Sequence, residues 1–553
     1  MKRSSLLVGF LLMTIGSIVR AQATPRTRAE RSGYTETSHY ADVIAFIDSL
    51  RGTKELSFGV IGKTTQGRDI PYVIASRPRV STPAQARALR RPIVYVQGNI
   101  HAGEVEGKEA LLALLRDLTS SSVPNVLDSL VLIAVPIYNA DGNEKFASQE
   151  VNRGSQNGPE LVGERANGQG LDLNRDYVKS EAPETRASLA MFNKWDPDVF
   201  VDLHTTDGSY HGYALTYAPP LNPAAPLGIF TRDLIMPTLR ARMKLRGFPT
   251  FDYGDFISDD TLSKGWVTFD SRPRFGTNYY GLRGRIAILS EAYSHDPFEH
   301  RVASTYAFVR EILSVVAERA ATIRRLVTEA SNSHAVELTQ DCFSNGCASP
   351  QVVKGRARLI SPIPIRSEII AAPSAIDVVA EDIERTGDST RTQPGVPKGR
   401  RRTGRFHAVK MPVLDRFKPT LFAAPPVAYA IPASDTQAVR VLRLHGVIVD
   451  SVTRVTSTQA ERFTVDSTLI SPRPFQGHHE MQLVGHWTTE SREIPAGTYI
   501  VRTNQPLGIV AVYLLEPQSD DGLVTWNFFD SELKPAATYP VTRLMSDPRP
   551  ASR

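Results

Sequence analysis

From about residue 40 to residue 331, short apolar runs alternate with longer stretches whose apolar residues recur every three or four positions. The runs at 72–75, 93–97, 131–136, 199–203, 213–217 and 286–289 predict strands, and the stretches at 104–118, 184–194, 227–244 and 298–330 predict helices. In the first of these helices Ala110, Leu111, Leu114 and Leu115 share one face. Strands alternating with helices in this way predict an α/β domain with a mixed central sheet flanked by helices.

Beyond residue 331 the pattern changes. Residues 332–355 are polar, and 380–405 is rich in Thr, Gly, Pro, Asp and Arg without periodicity, as expected of a loop. Short β-type runs at 439–444, 446–449, 481–484, 498–502 and 509–515 then predict a smaller, mostly-β domain with a sandwich-like core. The expected organisation is a first domain over 24–331, a linker over 332–407 and a β-rich domain over 408–553. At the other end, Lys2 and Arg3 precede an apolar run over 6–19, and Ala21-Gln22-Ala23 offers a small-x-small cleavage site. This reads as a signal peptide cleaved after Ala23, which places the mature protein outside the cytoplasm, secreted or periplasmic. No later run is long enough for an integral membrane segment.

Composition adds little to that picture, and charge subtracts from it. The formal charge of +6 falls to +3 once Lys2, Arg3 and Arg20 leave with the first 23 residues, which weakens a nucleic-acid role. The basic group of Lys398, Arg400, Arg401, Arg402 and Arg405 reads as a solvated loop. Cys342 and Cys347 are the only cysteines, and export makes a small disulfide-closed loop the natural expectation.

Two fragments carry the chemistry. His101-Ala-Gly-Glu104 follows one apolar strand and Val201-Asp-Leu-His204 ends another. An imidazole and a carboxylate at H-x-x-E spacing, joined by a distant second imidazole, make three ligands for one zinc per chain and leave a fourth position open. His334-Ala-Val-Glu337 has the same spacing without a strand before it, and adjacent histidines such as His478 and His479 diverge on a strand. Glu291, at the end of the run Ile286-Ala-Ile-Leu-Ser, is the expected base, because amide hydrolysis needs a group that takes a proton from water and returns it to the leaving amine.

Between the two histidines lies Arg165-Ala-Asn-Gly-Gln-Gly-Leu-Asp172-Leu-Asn174-Arg175-Asp-Tyr177, preceded by Ile61-Gly-Lys-Thr-Thr-Gln-Gly67-Arg68-Asp-Ile70 and Pro136-Ile-Tyr-Asn139-Ala-Asp141-Gly142. In content and order these segments resemble the zinc metallocarboxypeptidases, the carboxypeptidase A/B and E/D superfamily. The resemblance covers residues 40–330 and implies His101, Glu104 and His204 as zinc ligands, Asp172 as the carboxylate behind His101, and Arg165 as the oxyanion stabiliser. It further implies Asn174 and Arg175 as the grip on a substrate's terminal carboxylate, Glu291 as the catalytic acid–base group, and Tyr279 or its neighbour Tyr280 as a substrate-capping tyrosine. Gly103 departs from the digestive members, which have an arginine there.

The activity implied is hydrolysis of C-terminal peptide bonds by water activated by zinc and Glu291, on a peptide or peptide-like substrate with a free carboxylate. An alternative on the same fold is a zinc amidohydrolase acting on N-acyl amino acids or peptidoglycan peptides. A non-catalytic binding protein is the third reading, and the presence of every residue that the chemistry needs argues against it.

Overall fold

The computed structural model describes residues 24–120, 123–259, 261–332, 361–387 and 393–547. The expected signal peptide, the cysteine pair and the His334/Glu337 match lie outside the described residues. Eight strands, β1 (Leu56–Lys63), β2 (Asp69–Ala75), β3 (Ile93–Gly98), β4 (Val131–Val135), β5 (Val199–Thr205), β6 (Leu215–Ala218), β7 (Thr250–Asp252) and β8 (Ile286–Ala292), form one sheet in the order β1-β2-β4-β3-β5-β8-β6-β7. The central four, β4, β3, β5 and β8, are mutually parallel, while β2 and β6 join them antiparallel, so the sheet is mixed.

Each central strand is buried along its whole length, which is why its sequence is an apolar run and not an alternation. Side chains still alternate between the two faces: Val94 and Val96 enter one core and Tyr95 the other. Over the first face lie α1 (Glu106–Thr119), α3 (Met236–Leu245), α5 (Phe298–Glu318) and α6 (Ala320–Asn332); over the second lie α2 (Pro183–Trp195) and α4 (Gly276–Leu282).

Two long helices expected from the pattern are interrupted. The 227–244 stretch is a short turn over Gly228–Phe230, a π turn over Thr231–Ile235 and then α3, because Pro237 has no N–H for the regular ladder. The 298–330 stretch breaks at Arg319, whose φ of −106° and ψ of 18° separate α5 from α6.

The linker and the second domain differ more from expectation. Residues 380–405 are not a loop throughout: β10 (Ile376–Arg385) and β11 (Arg400–Met411) form an antiparallel ribbon, preceded by β9 (Ile363–Ala371) and followed by β12 (Val413–Ala423). The basic group is correspondingly paired and not simply solvated, with Arg400 on Asp259, Arg401 on Glu384, Arg402 on Glu381 and Arg405 on Asp382. β9 and β12 pair with each other, and β12 runs parallel to the short strand Trp266–Val267 of the first domain.

Further on, β13 (Ala428–Ile431), β14 (Thr456–Ile470), β15 (Met481–Ile494), β16 (Tyr499–Arg502) and β17 (Thr542–Leu544) build an antiparallel sheet with the short strand Asp450–Ser451. The runs expected as strands at 439–444 and 509–515 are helices, α7 (Thr436–Leu444) and α8 (Gly508–Leu515), which fill the place of a second sheet. The 446–449 run is not a strand but the turn and connection that follow α7. Gly446, at φ 90°, lets Val447 N–H return to the Leu442 carbonyl at 3.0 Å and Gly446 N–H to that of Arg443.

Among the described residues no helix is long and apolar enough to cross a membrane.

Candidate active site

β3 ends at Gly98, and residues 101–104 form a tight turn closed by the Glu104 N–H on the His101 carbonyl at 3.0 Å. The turn sets His101 Nδ1 3.0 Å from Glu104 Oε1. α1 begins two residues later, at Glu106, so Glu104 belongs to the strand-end turn and not to the helix start expected from sequence.

Strand β5 runs beside β3, pairing Asp202 with Gln97 and Leu203 with Gly98, and delivers His204 to the same spot. His204 Nδ1 lies 3.2 Å from His101 Nδ1 and 3.0 Å from Glu104 Oε2.

Behind each ring stands a carboxylate. Asp172 Oδ1 is 3.0 Å from His101 Nε2, and Asp202 Oδ2 is 3.1 Å from His204 Nε2. Asp202 is two residues before His204 on the same face of β5 and is held by Gln97 Nε2 at 3.1 Å. With their outer nitrogens on carboxylates, both imidazoles turn Nδ1 inward beside Glu104. One ligand atom from each of the three residues lies within 4.8 Å of the others, and the two ring nitrogens are 3.2 Å apart, a spacing that suits an ion bound at ~2.0–2.2 Å. The cluster of His101, Glu104 and His204 is fully buried and could hold a metal ion.

Its electrostatics suit a cation. Burial works against ionised Glu104, but His101 and Arg153 outweigh it and hold the carboxyl well below its ordinary range. Burial likewise opposes a charged His204, yet Asp202 and Glu104 raise its pKa well above the ordinary value.

Arg153 was not foreseen. Its guanidinium donates to Glu104 Oε1 at 3.2 Å and to the carbonyls of Thr205 and Thr206 at 3.0 and 2.9 Å. Gly103 makes room for it: a Cβ there would meet Arg153 Cγ at 2.7 Å and the Gly163 carbonyl at 2.9 Å. The cation that the turn lacks at position 103 thus arrives beside Glu104 from a distant loop.

Glu291 pairs with His204 across parallel β8 and β5, which puts both side chains on one face at neighbouring positions. It is 7% exposed and lines the cleft with the metal cluster. Burial raises its pKa well above that of a free glutamate; His204 counteracts this, and Glu104 and Asp207 add to it.

The same cleft takes in Arg165, Asn174 and Arg175. Arg165 donates to Asp172 Oδ2 at 3.0 Å and to Glu104 Oε1 at 3.2 Å. Asn174 Oδ1 accepts the Gly276 N–H at 2.9 Å. The Arg175 guanidinium lies 4.1 Å over the Phe275 ring and only at 4.0 Å from Asp172. Burial lowers its pKa and Asp172 only partly compensates, the condition of a cation short of anionic partners.

Residues 43–224 match the family model described as zinc carboxypeptidase. Over that segment the chain is similar to the zinc carboxypeptidase family. The matched segment contains His101, Glu104, Arg165, Asp172, Asn174, Arg175 and His204.

Carboxypeptidase 2 of Trichophyton equinum is 24% identical over 507 residues, covering 87% of this chain and 81% of its own. Mouse carboxypeptidase Z is 32% identical over 123 residues, 21% of this chain and 17% of its own. A metallo-carboxypeptidase of Burkholderia cenocepacia superposes with a TM-score of 0.38 at 18% identity, over 51% of this chain and 70% of that one.

One expected residue is elsewhere. Tyr279 lies in α4, 1% exposed, stacked on Tyr177, with its hydroxyl 2.7 Å from His445 Nδ1. It does not reach the cleft, because the helix that carries it packs on the underside of the sheet; Tyr280 is equally buried there. The tyrosine that does line the cleft is Tyr253, just after β7, together with Phe269, Phe275 and Leu289. No local pattern marks Tyr253 or Arg153 in the sequence. Asp202 had one available signal, its position two residues before a ligand on the same strand.

Proposed function

We propose that this chain is an exported zinc metallocarboxypeptidase that removes C-terminal residues from peptides. The observation that carries the reading is a single cleft holding a metal-ready cluster, a buried carboxyl and an under-compensated guanidinium. A zinc bound by His101, Glu104 and His204 would supply Lewis acidity toward the scissile carbonyl.

The protein's own groups do the rest. Arg175 and the free amide of Asn174 take the terminal carboxylate, since a guanidinium fork fits a planar two-oxygen anion. Arg165, held by Asp172 and Glu104, faces the oxygen on which negative charge develops. Glu291 removes a proton from the attacking water and returns it to the departing amine. Its raised pKa brings it toward the working range of such an acid–base group. Residues 1–23 support export, and N-terminal sequencing of the mature protein should begin at Thr24.

The test is metal analysis of purified protein with C-terminal amino-acid release from a peptide panel. Wild type is expected to hold about one zinc per chain and to trim peptides; Glu291→Gln should keep the zinc and lose at least ~100-fold in kcat. Arg175→Ala should raise KM for free-carboxylate peptides and leave C-terminally amidated ones unaffected. A zinc-loaded wild type that trims no peptide but hydrolyses N-acyl amino acids would replace this reading by the amidohydrolase one.

A further inference from the structure

The carboxylate grip is built from two loops that touch each other: Asn174 Oδ1 accepts the Gly276 N–H, and Arg175 rests on Phe275. Both loops are tied to the C-terminal domain. β14 and β15 form its longest hairpin, and at the tip the strand ends are joined by Phe475-Gln476-Gly477-His478, with Phe475 and His478 exchanging backbone hydrogen bonds at 2.8 and 3.0 Å.

Gln476 Oε1 accepts the Asp172 N–H at 2.9 Å, at the start of the turn that carries Asn174 and Arg175. His478 beside it bonds Glu181 at 2.9 Å. The second loop is held at Arg274, 2% exposed, whose N–H and guanidinium donate to Asp521 at 2.6, 3.0 and 2.7 Å and whose guanidinium also pairs with Glu480. The ring of Trp526 lies 4.6 Å beneath it.

Gln476 is also an odd residue for its position. Both central residues of the turn have positive φ, 50° for Gln476 and 83° for Gly477, a geometry in which Asn or Gly is the unstrained choice at the first place. A residue kept in a strained conformation whose side chain reaches the backbone beneath the grip points to a task other than making the turn.

We propose that the C-terminal domain is a working part of the carboxylate site, with Gln476 and Asp521 as positioning residues that fix the 172–175 and 274–277 loops around Arg175. This rests on the reading of Asn174 and Arg175 as the carboxylate grip.

Gln476→Asn separates the two roles, since asparagine suits the turn better but is one carbon too short to reach the Asp172 N–H. On the zinc-loaded full chain it should melt no lower than wild type and keep its zinc. Its KM for a blocked dipeptide with a free carboxylate should rise about fivefold, the size of one lost hydrogen bond, with kcat within about twofold. Binding of free L-phenylalanine, measured calorimetrically, should weaken in parallel. Asp521→Asn should shift KM in the same direction.

An unchanged KM and unchanged phenylalanine affinity in Gln476→Asn would overturn the proposal, as would a loss confined to kcat or to zinc content. Wild type that trims no peptide would instead sink the functional reading, and the calorimetric arm, which needs no turnover, still decides the role of Gln476.

Discussion

At the scale of single residues, the site shows how a departure from a motif can be met from another part of the chain. Gly103 lacks a side chain at the turn between His101 and Glu104, and the aliphatic stem of Arg153 occupies the space while its guanidinium pairs with Glu104. Adding one methyl at Gly103 would push against Arg153 and a fixed carbonyl. Gly103→Ala is therefore expected to weaken zinc binding about tenfold, the usual size of an effect on a ligand's outer partners. Competition with a chromophoric chelator would measure it, and an unchanged affinity would show that Arg153 is free to move. His101, Glu104, His204 and Glu291 were marked in the sequence by strand ends and short spacing, and Asp172, Asn174 and Arg175 by the resemblance of their segment to the zinc metallocarboxypeptidases; the structure gathers all seven at one cleft. Arg153 and Tyr253 were not, since nothing near them in sequence records that the chain brings them to the cleft.

At the scale of elements, the first domain followed its pattern because strands buried on both faces and amphipathic helices leave distinct periodicities. Beyond it the errors fell on the polar stretch 380–405, which pairs as a ribbon, and on short apolar runs. The 509–515 run is buried on all sides as α8, and a helix of that kind has no polar stripe to separate it from a strand. The 439–444 run buries Ala438, Val439, Val441 and Leu442, a helical spacing too brief to stand out.

The loop after α8 carries a pH-dependent element. Burial raises the Asp520 carboxyl to about 7, whereas in an unfolded chain it titrates near ~3.9. The folded protein thus keeps a proton that the unfolded chain releases. The stabilisation it brings is complete below the unfolded value and disappears as pH climbs through about 7. Asp520→Asn retains an oxygen for the Tyr513 hydroxyl and has no charge to bury. Its melting temperature relative to wild type should rise between pH 4 and pH 8; parallel profiles would show that Asp520 does not titrate there.

At the scale of the whole molecule, the two domains share one core boundary. Val178, Ala224 and Leu282 of the first domain pack into the hydrophobic cluster of the second, and Arg283 donates to the His445 carbonyl at 3.0 Å. Residues 24–332 expressed alone would expose those side chains and leave Arg274 without Asp521, a buried charge without its partner. The fragment is expected to aggregate or to melt well below the full chain. A monomeric fragment with a cooperative transition and unchanged turnover would contradict this.

What the sequence determined by itself was local or periodic: the alternation that makes a mixed α/β sheet, the strand ends that present His101, His204 and Glu291, and the short motif around Asn174. Only the tertiary structure decided that Arg153 stands beside Glu104, that Tyr253 and not Tyr279 lines the cleft, and that a hairpin some 300 residues downstream holds Asp172. These are contacts between positions far apart in the chain, where packing and not periodicity chooses the neighbour, and a linear pattern carries no record of that choice.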